Sequence, residues 1–140
     1  MSERAIVDTG PLVAFFDRDE ERHAWATDTF HRMRGPLLTC EPVVTEAAFL
    51  LRAWPSAQDK LLDWVAKGTL GIPFVLAGEA ESVRRLRRKY HDVPMSLADA
   101  CLVRMAEMFD GWQVCTLDGG FRVYRKHGDV PIPLIAPEAR

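Results

Sequence analysis

RAIVDTGP, at residues 4–11, joins a short apolar run directly to a helix start. The apolar residues before Asp8 favour a buried strand, whereas an aspartate followed within three residues by a proline is typical of the first turn of a helix. A strand that passes straight into a helix is the opening of a β-α-β unit. The stretch therefore predicts a carboxylate, that of Asp8, at the end of the first strand.

The rest of the chain continues this alternation of short strands and helices. We predict strands over 4–7, 37–40, 70–75 and 112–116, an edge strand over 132–135, and helices up to residue 17, over 21–34, from 41, from 56, over 79–90 and over 96–109. Strands separated by helix-length segments call for a parallel sheet with helices on both faces. The sequence thus predicts one α/β domain over residues 1–140, with four to five short, mainly parallel strands.

Composition limits the function only loosely. The 18 basic and 20 acidic residues give a net charge of −2, so no overall positive field gathers nucleic acid and any such binding must come from local clusters. The three cysteines form no C-x-x-C pair, which excludes a disulfide framework. No apolar stretch approaches the length of a membrane span, so we expect a cytoplasmic protein without membrane contact.

Four carboxylates fall just beyond predicted strand ends, where α/β sheets bind ligands. They belong to Asp8, Glu46, Asp99 and Asp118. Asp8 and Asp118 could each serve only as a helix cap or turn residue, and Asp99 could serve in a capping box with Ser96. Glu46 lies along the apolar stripe of its helix, so we expect it to need a partner.

A shared divalent cation would remove the repulsion among these carboxylates. Mg²⁺ and Mn²⁺ prefer oxygen ligands and leave coordination positions to water and phosphate, whereas the four histidines lack zinc-ligand spacing. The chain contains no phosphate-binding loop, no dinucleotide fingerprint and no serine-nucleophile motif. The sequence alone therefore favours an all-carboxylate magnesium or manganese site.

Four features of the sequence are distinctive when they are taken together: IVDTGPL at 6–12, Glu46 within a helix, DVPMSLADA at 92–100 and TLDGGF at 116–121. Through them the chain resembles the PIN-domain family over nearly its whole length. The resemblance implies a three-layer α/β/α PIN-like fold that binds one or two Mg²⁺ or Mn²⁺ ions and cleaves RNA. It places the core acids at Asp8, Glu46, Asp99 and Asp118, with Thr116 and Thr9 as supporting residues. Stand-alone relatives of this length are commonly VapC-type toxins, which implies a small antitoxin partner and a homodimer.

The implied reaction is hydrolysis of an RNA phosphodiester by metal-activated water, leaving 5′-phosphate and 3′-hydroxyl ends. Asp8, Asp99 and Asp118 would be metal ligands, and Glu46 would either complete the metal shell or orient the water. Two positions depart from the family pattern, because many relatives carry acids where this chain has Gly120 or Ser96. A non-catalytic PIN-like module that binds RNA or protein is therefore the alternative interpretation. A third and weaker interpretation is a phosphate-transferring α/β domain that uses Asp8.

One basic cluster offers a local attraction for RNA. Residues 84–89 hold five of the eighteen basic side chains: Arg84, Arg85, Arg87, Arg88 and Lys89. Their contacts with phosphate would be sensitive to salt. A solvated helix face is the alternative interpretation of the same cluster.

Overall fold

A five-stranded parallel sheet forms the centre of the computed structural model, which describes residues 3–138. Its strands are β1 (Ala5–Val7), β2 (Leu37–Leu38), β3 (Leu70–Gly71), β4 (Gln113–Cys115) and, after a small hairpin of β5 (Arg125–Lys126) and β6 (Val130–Pro131), β7 (Leu134–Ile135). The order across the sheet is β3-β2-β1-β4-β7, and every pair within it is parallel. The predicted edge strand is thus confirmed in β7.

Within residues 3–138, six α-helices surround this sheet. They are α1 (Thr9–Phe16), α2 (His23–Arg32), α3 (Glu41–Leu50), α4 (Pro55–Lys67), α5 (Leu76–Lys89) and α6 (Leu97–Met108). Helix α1 packs against α2, α3 and α4, whereas α6 packs against α3 and α5 and contacts β1 and β4. All three residues of β1 are fully buried although successive side chains point to opposite faces. Both faces of the sheet are therefore covered, as expected for parallel strands.

The strands are shorter than the sequence predicts. The third ends at Gly71 rather than at residue 75, because Pro73 has no N–H for the ladder and α5 already begins at Leu76. The hairpin of β5 and β6 was not predicted. Its turn contains His127 and Gly128, both with positive φ, and a His-Gly-Asp stretch between short segments is the signal that could have revealed it.

Cys40, Cys101 and Cys115 are buried free thiols. Within residues 3–138, no helix combines the length and the apolar character needed to cross a bilayer.

Candidate active site

Asp8 and Asp118 emerge side by side because β1 and β4 are neighbours in the sheet. Val7 pairs with Cys115 at the carboxyl ends of the two strands, and the Asp8 N–H donates to the Cys115 carbonyl at 2.9 Å. Asp8 is also the N-cap of α1, where its Oδ1 accepts from the Thr9 N–H at 2.7 Å. Asp118 caps a short 3₁₀ helix, Gly119–Val123, through a 2.8 Å bond from the Gly120 N–H.

Thr116 connects these two acids. Its hydroxyl donates to Asp8 Oδ2 at 2.8 Å and accepts from the Asp118 N–H at 3.0 Å. The side chain is almost fully buried, so both bonds are protected from water. The residue predicted as a supporting hydroxyl therefore fixes the geometry of two strand ends.

Asp99 reaches the same edge from the first turn of α6. The capping box predicted with Ser96 is present: Ser96 Oγ accepts from the Asp99 N–H at 2.9 Å, and Asp99 Oδ2 accepts from the Ser96 N–H at 3.3 Å. The same Oδ2 accepts a hydrogen bond from the Tyr124 hydroxyl at 3.0 Å. Capping thus leaves the carboxylate held at a defined position rather than free in solvent.

Glu46 differs from the expectation that it lies within an apolar stripe. Its neighbours Val43 and Ala47 are buried, but Glu46 itself is exposed on α3. No hydrogen bond or ion pair within residues 3–138 engages its carboxylate. It is therefore available to a ligand.

All four predicted acids line one cleft of about 470 Å³. The complete lining is Asp8, Thr9, Gly10, Glu46, Leu50, Ser96, Asp99, Leu117 and Asp118. No basic residue is among these lining residues, and none of the ion pairs formed within residues 3–138 involves one of the four acids. The cleft is thus a concentration of negative charge without a cationic side chain to balance it.

The pKa of Asp8 reflects this environment. Burial raises it from about 3.8 to about 6, the bonds from Thr116 and Thr9 oppose the rise, and the nearby charges of Asp99 and Glu46 add to it. Burial, followed by the charge of Asp99, also raises the pKa of Tyr124, which keeps the phenol protonated as a donor. A cation in the cleft would reverse the cost of ionising Asp8.

The donor set fits a hard divalent cation, since every candidate ligand is a carboxylate oxygen. The Thr9 hydroxyl, buried at the cleft wall, has no hydrogen-bond partner in the described chain. Among residues 3–138, however, no three Asp, Glu, His or Cys side chains are grouped closely enough to hold an ion as they stand. That the four acids share an ion therefore stays a prediction.

Comparison with known proteins identifies the family. The family model for the PIN domain matches residues 5–126. The chain belongs to the PIN-domain family. It is 30% identical over 115 residues to Ribonuclease VapC26 of Mycobacterium tuberculosis (strain ATCC 25618 / H37Rv), in an alignment that covers 81% of this chain and 85% of that protein. The crystal structure of Mycobacterium tuberculosis VapC20, described as a sarcin-ricin loop cleaving toxin, superposes with a TM-score of 0.76 at 20% identity, covering 85% of this chain and 93% of that one.

The resemblance and the α/β fold predicted from the sequence are thus confirmed.

One residue that contacts the site in this PIN domain was not predicted. Tyr124 follows the 3₁₀ helix, is buried, and packs edge-to-face on Phe121 and Tyr90 at centroid distances of 4.9 and 5.2 Å. The only signal in the sequence was the position of this tyrosine, three residues after Phe121. A tyrosine that is buried there needs a hydrogen-bond partner for its hydroxyl. Its partner, Asp99, lies 25 residues earlier.

Proposed function

We propose that this PIN domain is a metal-dependent endoribonuclease that acts as the toxin of a toxin–antitoxin pair. The observation that carries the proposal is the single cleft lined by Asp8, Glu46, Asp99 and Asp118, which come from four separate parts of the chain. The names of the two similar proteins support it, since one is called a ribonuclease and the other a toxin that cleaves the sarcin-ricin loop.

In this proposal Asp8, Asp99 and Asp118 hold one or two Mg²⁺ or Mn²⁺ ions. When bound, the ion supplies a more acidic water and offsets negative charge at the phosphodiester. The chain's own residues orient the ligands: Thr116 holds Asp8, and Tyr124 holds Asp99. Glu46 would either complete the metal shell or orient the attacking water, because its exposed carboxylate lines the cleft.

The decisive experiment is cleavage of RNA by the purified protein with and without divalent metal. We expect cleavage in Mg²⁺ or Mn²⁺, none in excess chelator, and a loss of more than about a hundredfold in Asp8→Asn and Asp99→Asn. Asp59→Asn, an identical chemical change on the exposed surface of α4, is the matched control and should cleave normally. Full activity in chelator would exclude the metal-dependent mechanism.

A non-catalytic RNA- or protein-binding module is the second candidate. It is favoured by Gly120 and Ser96, which stand where many relatives carry acids. It is also favoured because no three acidic, histidine or cysteine side chains within residues 3–138 are grouped closely enough to hold an ion. A properly folded chain that cleaves no RNA and gains no thermal stability from Mn²⁺ would support this candidate over the nuclease.

We also propose, from the family resemblance, that the chain forms a homodimer, pairs with a small antitoxin and acts on RNA in the cytoplasm. Light scattering of the purified chain at several concentrations tests the dimer, and a constant monomer mass would contradict it. Co-expression with its neighbouring reading frame tests the antitoxin, which should co-purify and suppress RNA cleavage.

A further inference from the structure

A second depression of about 430 Å³ lies beside the carboxylate cleft, between α5 and the start of α6. We call it the arginine groove, and its lining residues are Leu76, Ala80, Val83, Arg84, Arg87, Arg88 and Leu97. Four of these are aliphatic and three are arginines, so an apolar floor is bordered by guanidinium groups. No acidic residue is among them, in contrast to the neighbouring cleft.

The groove and the cleft meet at the first turn of α6. Ser96 lines the cleft and Leu97 lines the groove, and consecutive Cα atoms lie only about 3.8 Å apart. The two depressions therefore lie on either side of the first turn of α6, and an RNA segment of several nucleotides is long enough to occupy both.

The basic side chains of residues 84–89 differ in whether they already have a partner within the protein. Lys89 donates to the Gly128 carbonyl in the hairpin, and Arg84 pairs with Glu81 at 2.7 Å. Arg87 and Arg88 are exposed, and neither forms an ion pair within the described residues. These two guanidinium groups are thus free to bind an anion.

We propose, on the basis of the nuclease function above, that the arginine groove binds a nucleotide flanking the scissile phosphate of a single-stranded RNA segment. Arg87 and Arg88 contact backbone phosphates, and one unstacked base lies on the apolar floor formed by Leu76, Val83 and Leu97. An apolar floor with a cationic border matches the amphipathic chemistry of a nucleotide. A base in a duplex would not reach this floor, because its faces are stacked.

Binding is tested without catalysis, using a fluorescent single-stranded 12-nucleotide uridine RNA in excess chelator. We expect the double variant Arg87→Gln/Arg88→Gln to bind at least about tenfold more weakly. The slope of log K against log [salt] should also be shallower by about 1.4, because two phosphate contacts to a single strand are lost. The matched control is Arg4→Gln/Arg34→Gln, which makes the same charge change at the opposite, amino-terminal edge of β1 and should bind like the wild type.

A second pair of variants separates shape from charge. Ala80→Trp fills the groove, whereas Ala77→Trp adds the same side chain at an exposed position of α5 outside the groove. We expect only Ala80→Trp to weaken RNA binding, with both variants melting at the wild-type temperature. Equal affinities for these two variants would contradict a base on the apolar floor.

The outcomes distinguish this inference from the proposed nuclease function. If the wild type binds the RNA through Arg87 and Arg88 but never cleaves it, the groove is supported and the nuclease function fails. If the wild type cleaves RNA and the double variant binds and cleaves equally well, the groove assignment is overturned. If the double variant loses binding only to a glutamate-rich peptide, the groove belongs to an acidic protein segment, and the inference is likewise overturned.

Discussion

Thr116 is the side chain that joins the two strand ends beneath the cleft. We expect Thr116→Val to lower the free energy of unfolding by about 1–3 kcal/mol, because it leaves Asp8 Oδ2 and the Asp118 N–H without their partner. Urea denaturation of the metal-free protein measures this. Thr29→Val is the control, since the buried Thr29 hydroxyl has no hydrogen-bond partner in the described chain and its loss should be neutral or stabilising. Equal losses in the two variants would contradict the linking function of Thr116.

Tyr124 is a positioning residue, since it acts on substrate only through Asp99. Tyr124→Phe keeps the aromatic packing but removes the 3.0 Å hydrogen bond, so we expect cleavage to slow about tenfold, or about 1.4 kcal/mol. We also expect weaker binding of Mn²⁺, measured by titration. Tyr90→Phe is the control because the Tyr90 hydroxyl accepts from the Arg125 N–H and contacts none of the four acids. If both variants lose activity equally, the effect arises from packing.

Asp8 makes the metal-free protein sensitive to pH. Its pKa is about 6 in the folded state and near 3.8 in the unfolded chain, so the folded protein retains a proton that the unfolded chain has already released. Stability therefore falls as pH rises through this window. We expect the wild type to lose about 2–3 kcal/mol relative to Asp8→Asn between pH 4 and pH 7 in chelator, measured by urea denaturation. A parallel pH dependence of the two proteins would contradict the raised pKa.

Helix α6 positions its acid through its own N-terminus. We expect Ser96→Ala to cost about 1 kcal/mol of stability and to slow cleavage, because Asp99 loses its reciprocal cap. Ser96→Asp retains a good cap and adds a carboxylate at the cleft wall. Its stability should fall below the wild type without metal, because like charges repel, while its affinity for Mn²⁺ rises. Thermal denaturation and Mn²⁺ titration measure the two effects. Weaker Mn²⁺ binding by Ser96→Asp would contradict a cation site near Ser96.

Gly120 does not offer the same substitution. A Cβ at this position would lie 3.1 Å from Asp118 Oδ1, so the Asp118 carboxylate would have to shift by a few tenths of an ångström to admit an acid there. The two departures from the family pattern are therefore not equivalent. Ser96 leaves room for a further ligand, whereas Gly120 is packed against an existing one.

The elements with strong local signals were predictable from the sequence. As capping residues, Asp8 and Ser96 predict the starts of their helices, and the apolar residues of β1 predict a buried strand. The start of α4 shows the limit: Ser56 and Asp59 have the spacing of a capping box, yet the helix begins at Pro55 and its N-cap, Trp54, makes no side-chain cap bond. Proline at the first helical position already supplies the required φ, so the box is not needed.

The assembly of the site was predictable only in outline. The parallel order of β1 and β4 places Asp8 and Asp118 together, which the position of both acids after strands already suggested. The bonds that orient the acids join residues 25 and 108 positions apart, and no local pattern encodes such pairs. The division of the basic cluster between the groove and the hairpin was hidden for the same reason, since it depends on where α6 and the hairpin pack against α5.

The thermal stability of the folded protein should rise when a divalent cation binds in the cleft. A ligand that binds only the folded state stabilises it by about 2.7 kcal/mol at one hundred times its Kd, which raises the melting temperature by roughly 5–10 °C in a chain of this size. We expect Mn²⁺ to produce this shift in the wild type and in Asp59→Asn. Asp99→Asn should show little or none, because it lacks one of the carboxylates that face the cleft. An equal shift in all three proteins would place Mn²⁺ elsewhere on the surface, and Asp8, Asp99 and Asp118 would then have to be explained by capping and turns alone.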